Sequence, residues 1–110
     1  MHQPDPKIRA AADLALDCYK HCHGMATTHC LAVGGAHAER EHLTLMFACA
    51  EICRTTAHLL LMDSAHGRHL ARECAEISEA CATDCERIGD MDSCVAACRT
   101  CAKACAVLAG

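Results

Sequence analysis

The sequence has no Trp, one Tyr and one Phe, so aromatic rings cannot fill its interior. Punctuation is also scarce: two Pro and six Gly in 110 residues leave long stretches free to run as uninterrupted helix. The apolar run "LLLM", Leu59 to Met62, falls far short of the ~20 residues that cross a bilayer, which argues against a membrane partner. Basic clusters are missing. Ten Lys and Arg are mixed among fourteen Asp and Glu for a net charge of -4, and this argues against nucleic acid as a partner. There is no phosphate-binding glycine loop and no paired acid/base constellation, so an enzyme is the least supported class. The opening "MHQPDPKIRAAADLALDC" lacks a charged n-region followed by an apolar h-region, so no secretory signal is expected and the chain is expected in the cytoplasm. Cysteines there are kept as thiols, which shifts the expectation for a Cys-dense chain from disulfides towards metal.

What the chain does have is alanine at 22 positions and cysteine at 12. At this length it reads as a single domain, residues 1–110, with a narrow core in which sulfur stands where Leu and Phe normally would. Runs of helix formers occupy roughly 6–32, 36–62, 66–88 and 92–108, with apolar residues at spacings of three and four. Pro4-Asp5-Pro6 suits a helix start with Asp5 as N-cap. Breaks fall at Gly34-Gly35, at "DSAHG" with Asp63 or Ser64 as a cap, and at "GDMDS" from Gly89 to Ser93. Four helices with short loops predict an all-α fold, an antiparallel up-down-up-down four-helix bundle.

The cysteines are periodic. In the fourth segment Cys94, Cys98, Cys101 and Cys105 stand at offsets 0, 4, 7 and 11, one narrow stripe at about 100° per residue. The same ruler gives Cys74, Ser78, Cys81 and Cys85 on the third segment, Cys18, Cys22, Met25 and His29 on the first, and His42, Met46, Cys49 and Cys53 on the second. Fifteen of these sixteen rungs can bind a soft or borderline metal. Cys30 falls off the ladder, as a peripheral ligand or an exposed thiol. His2, His21, His23, His37, His58, His66 and His69 are expected at the solvated surface. Antiparallel packing then gathers Met25, His29, His42 and Met46 at one end, a mouth with exchangeable ligands, and Leu14, Leu60, Leu70 and Leu108 at the other, an apolar plug.

Thiolate and thioether donors favour Cu(I) or Zn(II), and Met favours Cu(I). The ladders hold no Lys or Arg. Exchanging each thiol proton for one Cu(I) leaves the core's charge unchanged, whereas a four-thiolate Zn(II) site buries a net negative charge without a partner. Multiple Cu(I) ions per chain are the better fit.

CxxxC pairs on each helix, at Cys18/Cys22, Cys49/Cys53, Cys81/Cys85, Cys94/Cys98 and Cys101/Cys105, and the closing "CVAACRTCAKAC" resemble the bacterial copper storage proteins, in their cytosolic branch. That resemblance implies a Cu(I) store loaded along the bundle interior, uptake at one end, a homo-tetramer, and copper-donor or copper-acceptor proteins as partners. Better-stocked members carry cysteine where this chain has Met25, His29 and Ser78, which implies a lower or faster-exchanging load. Three other readings compete. A disulfide-stapled twin CxxxC hairpin uses Cys18/Cys22 and Cys49/Cys53 but leaves eight cysteines unexplained. A buffer for Zn(II) or another soft metal uses the same thiols. A redox or iron–sulfur protein is prompted by the one CxxC, Cys98 and Cys101, yet it lacks the βαβ context or loop-borne cysteines such sites need.

Overall fold

A computed structural model describes residues 5–110; His2 and Pro4 lie outside the described residues. Asp5 starts the first helix by accepting a hydrogen bond from the Lys7 amide at 2.7 Å, and Pro6 takes the first position, where no donor is needed. This helix, α1 (Pro6–Met25), widens into a π-helical turn, Ala26–Cys30, and continues as the stub α2 (Leu31–Val33). Gly34 at φ 71° and Gly35 at φ 55° then turn the chain through left-handed conformations that a side chain would strain. Because a 3-10 turn over Gly35–Ala38 follows, the second long helix starts at Arg40 instead of the expected 36.

That helix is α3 (Arg40–Leu61), followed by α4 (Gly67–Ile88) and α5 (Asp92–Ala109). At the α3–α4 turn Ser64, one of the two expected caps, accepts from the His66 amide at 3.1 Å, while Asp63 takes φ 56°. Helix α1 packs against α3 and α5, and α4 packs against the same two. Paired positions run in opposite senses: Cys18 meets Cys49 and Cys30 meets His42, just as Cys53 meets Cys74 and Met46 meets Cys85. The fold is therefore the antiparallel up-down-up-down bundle, 48 × 24 × 19 Å along its principal axes, with no strand among the described residues. No helix among them is long and apolar enough to cross a membrane.

One end is closed by Ala11, Ala12, Ala57 and Ala71 together with Leu60, all buried. Leu14, Leu70 and Leu108, expected as the plug, are only half-buried. Small side chains let the helices approach closely enough for alanine to seal the end, and the leucines are left to flank it. Gly67 serves the same closeness, since a Cβ there would stand 3.1 Å from Leu60 Cδ2.

Candidate metal centre

All twelve cysteines are free and fully buried. The α-helical period that fixes CxxxC pairs on one face puts their sulfurs at equal separations: 4.0 Å for Cys18–Cys22, Cys49–Cys53, Cys81–Cys85 and Cys101–Cys105. Across helices they come closer, with Cys22–Cys98 at 3.5 Å, Cys18–Cys98 and Cys53–Cys74 at 3.6 Å, and Cys18–Cys49 and Cys74–Cys101 at 3.8 Å. A metal–sulfur bond of about 2.3 Å separates sulfurs by roughly 4.0 Å in trigonal and 4.6 Å in linear coordination. Small rotations about χ1 take these pairs to either. Three groups have every sulfur within 4.8 Å of the others: Cys18, Cys22, Cys49 and Cys98; Cys18, Cys53 and Cys101; and Cys74, Cys101 and Cys105. Shared members make them one continuous array.

Ser78 lies inside the array. Its hydroxyl is 3.6 Å from Cys53, 3.7 Å from Cys49, 3.8 Å from Cys101 and 3.9 Å from Cys74. Towards the loop end Met46 adds its thioether, 3.4 Å from Cys85 and 3.6 Å from Cys81. Cys94 is turned towards α1 and donates to the His21 carbonyl at 3.5 Å.

The loop end departs from the sequence register. The π-turn inserts one residue into α1's period, so the inward face after Cys22 passes through Ala26 and Cys30 and not through Met25 and His29. Ala26 and Cys30 are fully buried. Met25 is half-buried beside a groove lined by Asp17, Lys20, His21 and Thr28, and the His29 side chain is 27% exposed. The placement of Cys30 off the ladder and of Met25 and His29 on it is thus corrected. Cys30 sits 3.6 Å from His42 Nε2 and 3.9 Å from Met91 Sδ. Met91, buried in a turn where periodicity does not reach, had no sequence signal. A signal for the π-turn did exist: Gly24 is followed by the adjacent Thr27 and Thr28, whose hydroxyls donate to the His23 carbonyl at 2.8 Å and the Gly24 carbonyl at 2.7 Å. Such back-bonding loosens a helix.

His42, buried at this end, is oriented from behind. Its Nδ1–H donates to Asp84 Oδ2 at 2.7 Å, which leaves the Nε2 lone pair towards Cys30. Burial works against the Asp84 charge, but hydrogen bonds from His42 and Arg87 outweigh it and hold the carboxyl below its ordinary value. His37, expected in solvent, is half-buried and bonds the Gly89 carbonyl at 3.1 Å. His23, His58, His66 and His69 are exposed, and His21 is half-buried.

Desolvation pushes the Cys30 thiol up, and the nearby Cys94 and Cys81 add to it. Inside the array sulfur–sulfur hydrogen bonds dominate. Cys18 holds Cys22 and Cys98 up, and Cys101 holds Cys53 and Cys105 up. Cys49 and Cys101 are pushed down as acceptors from Cys18 and Cys105. A metal that binds the array must displace the protons its sulfurs share.

The sequence model of the copper storage proteins matches residues 5–110. The chain belongs to the copper storage protein family. Among solved structures, this family member superposes on the crystal structure of Nmul_A1745 from Nitrosospira multiformis with a TM-score of 0.92 at 43% identity, covering 94% of each chain. It matches the Cu(I)-bound copper storage protein BsCsp3 with a TM-score of 0.87 at 30% identity, over 94% of this chain and 99% of that one. The cysteine-rich protein YhjQ of Bacillus subtilis (strain 168), itself uncharacterized, is 34% identical over 103 residues, 91% of this chain and 94% of that protein.

Proposed function

We propose that the chain is a store for multiple Cu(I) ions, bound by the twelve cysteines with His42, Met46 and Met91 completing the array at its loop end. Met25 and His29, outside the interior, are left out of this set. The observation that carries the reading is the continuity of eight thiols, Cys18, Cys22, Cys49, Cys53, Cys74, Cys98, Cys101 and Cys105, whose neighbouring sulfurs stand 3.5–4.0 Å apart, with, among the described residues, only His42, Thr56 and Ser78 as buried polar side chains and no buried Lys or Arg. Proton-for-Cu(I) exchange keeps such an interior neutral. The Cu(I) held by BsCsp3 supports the same metal. Ions enter and leave at the Cys30, His42 and Met91 layer, exchanged with donor and acceptor proteins. Cytosolic residence and a homo-tetramer belong to the same proposal, supported by the family resemblance and by exposed Leu31, Val33 and Phe47.

A Zn(II) buffer is the second reading, favoured by the four-cysteine group Cys18, Cys22, Cys49 and Cys98, which suits tetrahedral zinc. Anaerobic titration of the reduced protein with Cu(I) against a competing chelator separates the two. A plateau on the order of ten ions per chain, comparable to the thiol count, is expected of the store. A plateau at one or two, together with tighter zinc retention in a parallel titration, would establish the buffer.

A further inference from the structure

The π-turn that carries Cys30 into the bundle carries His29 out of it, to the rim. There His29 meets two residues from other segments: His37 of the 3-10 turn before α3, and Asp90 of the α4–α5 turn. His29 Nε2 is 3.6 Å from Asp90 Oδ2, and the His29 and His37 ring centres are 5.1 Å apart, nearly perpendicular at 84°. The Nε2 atom is the one buried side-chain nitrogen or oxygen without a hydrogen-bond partner among the described residues. A buried polar atom left unsatisfied costs free energy, and at this atom a ligand would remove the cost. His37 is prepared for the same role. Its Nε2–H donates to the Gly89 carbonyl at 3.1 Å, which fixes the tautomer and leaves Nδ1 with its lone pair, the usual second contact of a metal-binding histidine.

The dimensions suit one tetrahedral ion. With metal–nitrogen and metal–oxygen bonds of about 2.0–2.2 Å, donor atoms stand roughly 3.4 Å apart and two imidazole centres roughly 5 Å apart. The Asp90 side chain is 83% exposed, so its carboxylate can swing to close the third position, and water can take the fourth.

We propose that His29, His37 and Asp90 form a second metal site, at the rim of the bundle, for a borderline divalent ion of the Zn(II) or Cu(II) class. Two imidazoles and a carboxylate are the donor set of such ions and not of Cu(I), which the sulfur interior takes. Metals of different softness are sorted by a single step in the chain, His29 to Cys30. An ion at the rim also ties the π-turn, the 3-10 turn and the α4–α5 turn together beside the Cys30, His42 and Met91 layer. The site needs no copper in the interior, and it stands or falls separately from the storage reading.

The test is site-resolved NMR of the imidazole nitrogens in reduced, full-length protein. Zn(II) is added past the point at which the thiols stop responding, and then by one further equivalent per chain. Metal-bound shifts are expected at the His29 and His37 ring nitrogens, with those of His58, His66 and His69 unmoved. Asp90→Asn, a surface change that leaves the helices alone, should weaken the response at least tenfold. Rings of His29 and His37 that stay unmoved, or that shift only as the exposed histidines do, would overturn the site. So would an Asp90→Asn protein that binds as tightly as the original.

Discussion

Ser78 lies within 3.9 Å of four cysteine sulfurs and offers them a hydroxyl, a poor ligand for a soft metal. The packing already accommodates an atom at that position, so Ser78→Cys exchanges oxygen for sulfur in a prepared place. Its expected effect is a higher Cu(I) plateau, by about one ion, with apo stability changed by less than ~1.5 kcal/mol as for other near-isosteric core swaps. Chelator-competed titration and chemical denaturation read the two quantities. Cys30 makes a different prediction, through protons. Its folded-state thiol lies above the ordinary value of 9.0 because of burial, so the folded state holds that proton more tightly than the unfolded one. The stability this contributes is complete below pH 9 and is lost as pH rises through the folded value. Thermal melts of apo protein from pH 7 to 10 should therefore show a steeper alkaline decline for the original chain than for Cys30→Ala. Equal slopes would place Cys30 in contact with water.

At the level of the element, much of the bundle was legible because a straight α-helix has one period and the cysteines follow it. On α3, α4 and α5 every rung of the ruler is buried, from His42 and Met46 to Cys105. On α1 the ruler fails after Cys22, because the π-turn carries one residue more than the α-helix it interrupts, and each inward position beyond it moves on by one. Hydrophobic periodicity cannot register an insertion that short, and only Gly24 with Thr27 and Thr28 hinted at it. A deletion tests this account. Removing Thr28 takes out the extra residue and brings Cys30 to offset 11 from Cys18, the position an unbroken α-helix turns inward. The shortened chain should fold, keep its Cu(I) capacity and melt within a few degrees of the original. If capacity falls by the share of a whole loop-end layer, the π-turn itself is needed to hold Cys30 against His42 and Met91.

Over the whole molecule, what the sequence could not disclose is concentrated at the loop end, where side-chain direction depends on turns and on partners from distant segments. Met91 is buried by the path of the α4–α5 turn, with Gly89 at φ 83° and Asp90 at φ 58°, and Asp84 matters only because α4 sets it 2.7 Å from His42. The interior between the ends has a consequence for stability. It is lined by alanine and thiols, side chains with few atoms to contact one another, and its caps are small, so the apo bundle gains little from packing. Metal binding then becomes a large part of the folding free energy, because the unfolded chain does not hold the sulfurs together. One site with free Cu(I) at about 1,000 times its Kd adds ~4 kcal/mol, and for a domain near this size each kcal/mol raises Tm by roughly 4–8 °C. Loading is therefore expected to raise Tm by more than about 15 °C, and to do so in increments as the array fills, which circular dichroism melts at successive copper ratios would resolve. A rise completed by the first one or two ions would mean that a single cluster holds the helices together and that the remaining thiols bind without changing the fold's stability.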